Sequence, residues 1–117
     1  MSQRIQSLFG AVAKNVKTAC WQPSADIYRA GTVWLVKFDL AGVRQQDIQV
    51  ELDGNRLAIR GVRRDLTILD GQRVYSMEIA YNQFERIVEL PVNVETAHFA
   101  SECRDGMFLV SITPAAA

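Results

Sequence analysis

His98 is the one histidine of this 117-residue chain, and Cys20 and Cys103 are its two cysteines. A thiolate nucleophile needs a base within hydrogen-bond reach, and the pairing on offer is Cys103 with His98. They lie five positions apart, so a regular strand would point them to opposite faces. A metal centre would need His98 plus ligands far away in sequence, and no CxxC spacing is present. No catalytic residue, metal or cofactor is therefore expected, and both cysteines read as small hydrophobes. The thirteen carboxylates are scattered and read as solvated faces and surface ion pairs. Neither a phosphate-cradling glycine loop nor a G-x-S-x-G elbow occurs. The densest basic run is Arg56, Arg60, Arg63 and Arg64. It lacks interleaved aromatics and is followed by the acidic stretch 65–70, so no nucleic-acid partner is expected.

With no chemistry to position, the elements themselves must carry function. Thirteen basic and thirteen acidic side chains cancel, and 49% of residues are apolar against 22% charged. That composition fits one ordinary globular domain with no global attraction for anionic partners. The first 22 residues depart from the balance: they hold Arg4, Lys14 and Lys17 and no acid. Within them Ile5, Leu8, Phe9, Val12 and Val16 form one helical stripe. A helix this short is marginal alone and needs a surface to pack on. The stripe must dock on its own domain, on another subunit or on a client. A basic amphipathic segment could also touch a membrane surface, but packing on protein is the preferred reading. Unpaired cysteines suggest a reducing compartment, and with no run of 18 apolar residues and no convincing signal peptide the chain is expected in the cytoplasm.

After the break at Trp21-Gln22-Pro23-Ser24 the pattern is β throughout. Strands are expected over 26–29, 33–40, 48–52, 57–62, 74–81, 84–90, 99–103 and 107–112, with a further short one inside 66–69. They are rich in β-branched and aromatic residues, and several alternate with period two. Asp53-Gly54-Asn55 and Asp105-Gly106 read as hairpin turns. Short strands at regular spacing with no helix between them argue for an all-β, immunoglobulin-like antiparallel sandwich behind a short N-terminal amphipathic helix. The expected division is an arm over 1–22, a sandwich domain over 23–114 and a tail over 115–117.

Five motifs in register give this sandwich a family resemblance. Trp21-Gln22-Pro23-Ser24-Ala25-Asp26-Ile27 matches W-x-P-x-x-D-I. Asp39-Leu40-Ala41-Gly42-Val43 matches D-L-P-G-V, with Ala41 for the proline. Leu57-Ala58-Ile59-Arg60-Gly61-Val62-Arg63 matches L-x-I-x-G-x-R. Glu78 followed by Phe84-Glu85-Arg86 and Leu90-Pro91 matches E…G-x-F-x-R-x-x-x-L-P, with Asn82 for the glycine, a residue that tolerates φ > 0. Ala100 with Asp105-Gly106-Met107-Phe108 matches A…(N/D)-G-V-L. Over 21–113 the chain resembles the α-crystallin domain of the small heat-shock proteins.

The resemblance implies an ATP-independent holdase chaperone that binds partly unfolded proteins, self-associates as a strand-swapped dimer and assembles further. The rival is an adaptor of the CS-domain kind that binds a folded partner. Ile5, Leu8, Phe9, Val12, Val16 and Trp21 are the expected client surface. By resemblance an edge groove lies between the strands over 48–52 and 99–103, lined by Val50 and Leu52 opposite Phe99 and Ser101. From the residues alone Val50 and Leu52 could equally face the core. Leu66, Thr67 and Ile68 match the family's swapped strand, and Arg86 its dimer-interface arginine. The family's Ile-x-Ile tail motif has no counterpart after Thr113, because Val110-Ser111-Ile112 falls inside the last expected strand. Assembly is therefore expected to lean on the arm.

Overall fold

A computed structural model of the chain describes residues 20–65 and 69–115. The expected arm helix and the segment Leu66, Thr67 and Ile68 lie outside the described residues. Two antiparallel sheets stack face to face. The first contains β1 (Ala25–Ala30), β2 (Val33–Asp39), β7 (Met107–Thr113) and β6 (His98–Arg104), in that spatial order. The second contains β3 (Ile48–Asp53), β4 (Arg56–Arg63) and β5 (Asn82–Glu89), in sequence order. The all-β sandwich expected from the pattern is the fold observed.

Period-two alternation explains the layering. On the inner faces Val36 and Phe38 of β2 meet Leu57 and Ile59 of β4, Phe84 and Val88 of β5, and Phe108, Val110 and Ile112 of β7 in one buried cluster. Phe38 and Phe108 are cross-strand partners with ring centroids 6.4 Å apart. Gly61 shows how tightly the layers close. A Cβ there would lie 2.6 Å from Cζ of Phe84 and collide with the Asp47 carbonyl. The Phe84 ring occupies the space that the missing side chain leaves.

The turns carry the chemistry the sequence assigns them. Asp105 (φ 52°) and Gly106 (φ 80°) are both left-handed between Arg104 and Met107, which face each other across the hairpin. That conformation matches the right-handed twist of the strands and favours Asp-Gly. Asn82 also adopts positive φ, 71°, so the glycine substitution is absorbed. At Ala41-Gly42 the Val43 N–H donates to the Leu40 carbonyl at 3.0 Å and Gly42 has φ 81°. This is the arrangement of a type II turn, with Ala41 at the position proline favours.

Two expectations need correction. Residues 74–81 form no strand. Their alternation suits one, but no described strand lies beside them to pair with. Cys103 is exposed and Cys20 only half-buried, so neither fills the core as a small hydrophobe would.

Candidate functional site

The uncovered edges come from a mismatch in width. Four strands stack on three, so β6 overhangs. Phe99, Ser101 and Cys103 pair across the ladder with Ile112, Val110 and Phe108, which fixes them to the inner face. Those β7 partners are fully or almost fully buried, whereas Phe99 remains 45% exposed. On the facing sheet β3 is also an edge strand. Leu52 joins the core cluster and Val50 packs half-buried against it. Just before β3, Gln45 Nε2 donates to the Ser101 carbonyl at 3.3 Å, so the two edges lie side by side. Val50 and Leu52 thus face the sandwich core, while Phe99 and Ser101 lie on the inner face of the neighbouring edge strand β6. Both edges present backbone groups able to pair with an added strand.

His98 and Cys103 both belong to the unbroken register of β6 and therefore occupy opposite faces. Partial desolvation on the inner face pushes the thiol of the largely exposed Cys103 above its ordinary pKa, which lowers its thiolate fraction at neutral pH. Among the described residues no group of three histidine, cysteine or carboxylate side chains could hold a metal ion.

A second surface follows β4. Residues 69–81 run outside both sheets, and Leu69, Val74, Tyr75, Met77 and Ile79 are all well exposed, with Tyr75 entirely so. Arg63 pins the base of this segment. Its Nε donates to the Ala41 carbonyl at 3.0 Å and its Nη1 to the Ala80 carbonyl at 2.8 Å. Its guanidinium also lies 4.3 Å from the Trp21 ring centroid, a cation–π distance. Next to it Arg64 Nε and Arg44 Nε reach Asp47 Oδ2 at 3.2 and 3.3 Å. The hydrogen bond from Arg64, outweighing partial desolvation and supported by both charges, holds the Asp47 carboxyl below its usual range. Arg60 pairs with Glu85 at 3.4 Å. Three arginines of the basic run are thus engaged inside the domain.

Ile5, Leu8, Phe9, Val12 and Val16 lie outside the described residues. Trp21 is built into the domain, not held clear of it. Its ring packs 5.3 Å from that of Phe84, and its backbone pairs with β5: Trp21 N–H donates to Gln83, and Glu85 N–H donates to Trp21. Arg86 is half-buried and donates from Nη1 to the Pro23 carbonyl at 2.9 Å. The structure therefore places Trp21 and Arg86 at β5, on either side of Pro23, and places Val50 and Leu52 on edge strand β3 and Phe99 and Ser101 on edge strand β6. Sequence reasoning missed the exposed stretch over 74–79. Its signal is the alternation of Tyr75, Met77 and Ile79, which predicts a strand over 74–81 but gives no partner for it.

Comparison with known proteins agrees with this geometry. The Hsp20/alpha crystallin family model matches residues 26–117. Small heat shock protein C4 of Rickettsia felis is 29% identical over 77% of this chain and 55% of its own length. Spore protein SP21 of Stigmatella aurantiaca is 26% identical over 77% of this chain and 53% of its own length. The chain spans about half the length of these curated relatives. Among solved structures, hspA from Xanthomonas axonopodis superposes with a TM-score of 0.67 at 27% identity, covering 82% of this chain and 96% of that one. A small heat-shock protein from Xylella fastidiosa gives 0.66 at 26% identity, covering 85% and 91%.

Proposed function

This chain belongs to the Hsp20/alpha crystallin family, and on that footing we propose that it is an ATP-independent holdase, capturing partly unfolded proteins and keeping them from aggregating. The observation that carries this reading is the uncovered inner face of β6. Phe99 sits among positions built for burial yet stands 45% exposed, beside the open edge of β3. An extended segment can add main-chain hydrogen bonds there and set alternate side chains against Phe99. Apolar burial of about 25 cal/mol per Å² then suffices for transient capture, with no need for bond chemistry or nucleotide. The apolar stripe of the arm supplies a second client surface.

Self-association follows from the same surfaces. The segment over 66–79 offers a strand to a neighbouring copy, with Leu66, Thr67 and Ile68 at its start and the exposed Val74, Tyr75, Met77 and Ile79 beyond them. β1 is an edge of the four-stranded sheet and can receive that strand. Arg86, already tied to Pro23, lies near the arm's root and stiffens the join.

Light scattering of a heated model client tests the proposal. The chain should suppress scattering without ATP, and either deleting residues 1–20 or replacing Phe99→Asp should weaken suppression. Scattering unchanged by the intact chain, together with a stoichiometric complex with one folded chaperone ATPase, would favour the adaptor reading instead.

A further inference from the structure

The core stripe of β4 ends in a cation. Leu57, Ile59 and Gly61 face the core, and alternation puts Arg63, the last residue of the strand, on the same face. It is half-buried there. A charge drawn out of water needs hydrogen-bond partners, and the groups that hold Arg63 come from three separate parts of the chain. Nε donates to the Ala41 carbonyl at 3.0 Å and Nη1 to the Ala80 carbonyl at 2.8 Å. The Trp21 ring centroid lies 4.3 Å from the guanidinium carbon. Charge-assisted bonds from a planar fork fix direction as well as distance.

What passes through this clasp gives it meaning. Arg63 and Asn82 are cross-strand partners, so the chain leaves the three-stranded sheet after Arg63 and returns to it at Asn82. Ala80 lies on the returning limb, just before the backbone turns at Asn82 with φ 71°. The excursion holds Leu69, Val74, Tyr75, Met77 and Ile79 in solvent. Near its far end it closes on itself: Leu69 N–H donates to Gln72 Oε1 at 2.7 Å, and Gln72 N–H to the Leu69 carbonyl at 3.0 Å. Trp21 is the other side of the clasp. Its backbone is bonded to β5 at Gln83 and Glu85, and the arm precedes it. One guanidinium thus joins the neck of the apolar excursion to the root of the arm.

We propose that Arg63 is a positioning residue for self-association. It sets the direction in which the segment over 69–81 projects, and it couples that direction to the root of the arm. This rests on the reading that the segment pairs with a second copy. A segment that can meet its partner in only one orientation binds more weakly in proportion to the time it spends in others. Clasping the neck in advance removes that loss.

The dimer Kd of the full chain tests it, read by native mass spectrometry over a dilution series at a temperature where circular dichroism shows every variant folded. Arg63→Met keeps a stem against the indole and removes both hydrogen bonds and the charge, so it should raise Kd at least about ten-fold. Arg63→Lys keeps the charge but not the fork. Its Kd should fall between those of the parent and Arg63→Met, and it remains decisive if Arg63→Met does not fold. Val88→Ala opens a cavity in the core at the far end of β5 and should leave Kd within about two-fold of the parent, as a distant site does. Arg63 variants that dimerise like the parent, or Val88→Ala weakening the dimer as much as Arg63→Met, would overturn the proposal. Trp21→Phe should raise Kd in the parent but add little in Arg63→Met, as expected for two groups in one contact; additive effects would overturn the coupling to the arm. A monomeric parent, or a Tyr75→Lys, Ile79→Lys variant that dimerises like the parent, would remove the self-association reading and the proposal with it. Dissociation in that double variant alone, with Kd unmoved by either Arg63 change, would remove the proposal and leave the reading standing.

Discussion

Gly61 and Ala41 show how single residues set the sandwich. At Gly61 the space of a side chain is taken by the Phe84 ring and the Asp47 carbonyl, and a backbone carbonyl cannot rotate aside. Overpacking of a tight core typically costs about 1–3 kcal/mol, so Gly61→Ala should lower the unfolding free energy by that much, read as a lower urea midpoint at unchanged m-value. Ala41 is the opposite case. It occupies the first central position of a type II turn closed by the Val43–Leu40 hydrogen bond, and its carbonyl, which proline retains, is the group that Arg63 uses. Ala41→Pro should therefore stabilise by about 0.4–1 kcal/mol through the unfolded chain. A rise of a few degrees in Tm would show it.

At the scale of elements, the short 3-10 helix Gln45–Asp47 and the end of β4 are joined by charge. Asp47 has a folded-state pKa held down mainly by Arg64. A depressed carboxylate contributes stability above its unfolded pKa and loses it as pH falls through the folded value, so the window lies below about pH 4. Asp47→Asn should lower the urea midpoint at neutral pH, and the gap to the parent should close on acidification through that window. On the proposed reading, the segment over 69–81 belongs to a different class of element, one that completes a strand only against a second chain. Tyr75→Lys combined with Ile79→Lys leaves the sandwich core untouched and should shift the protein from dimer toward monomer in native mass spectrometry.

The same distinction explains what the sequence made legible. Turns fixed by left-handed residues, such as Asp105-Gly106, and strands with one buried face, such as β4 and β7, carry their signals locally. The segment over 74–81 carries an equally clear alternation. Alternation specifies a face, however, and not a partner, and that is why it was misassigned. At the candidate site Phe99 is expected in an edge groove by resemblance alone, and no pattern in the residues gives its exposure on an inner face. It depends on the difference between four strands and three, a property of the stacked sheets. The tie from Arg63 to two carbonyls and an indole was equally invisible, because its partners lie 17 to 42 positions away.

For the whole molecule, the proposed function follows from what the sandwich leaves undone. Among the described residues β3 and β6 are edge strands, Phe99 stands exposed on β6 and an apolar segment runs outside both sheets, and a basic segment with one apolar stripe precedes the domain. Each is a liability in an isolated soluble domain, and together they are what a binder of unfolded chains requires. The most direct measurement is size-exclusion chromatography with light scattering, after heating an aggregation-prone client with the full chain in ATP-free buffer. The account predicts soluble high-mass particles containing both proteins, at the expense of client precipitate. Complete precipitation of the client while the chain elutes unaccompanied would contradict it.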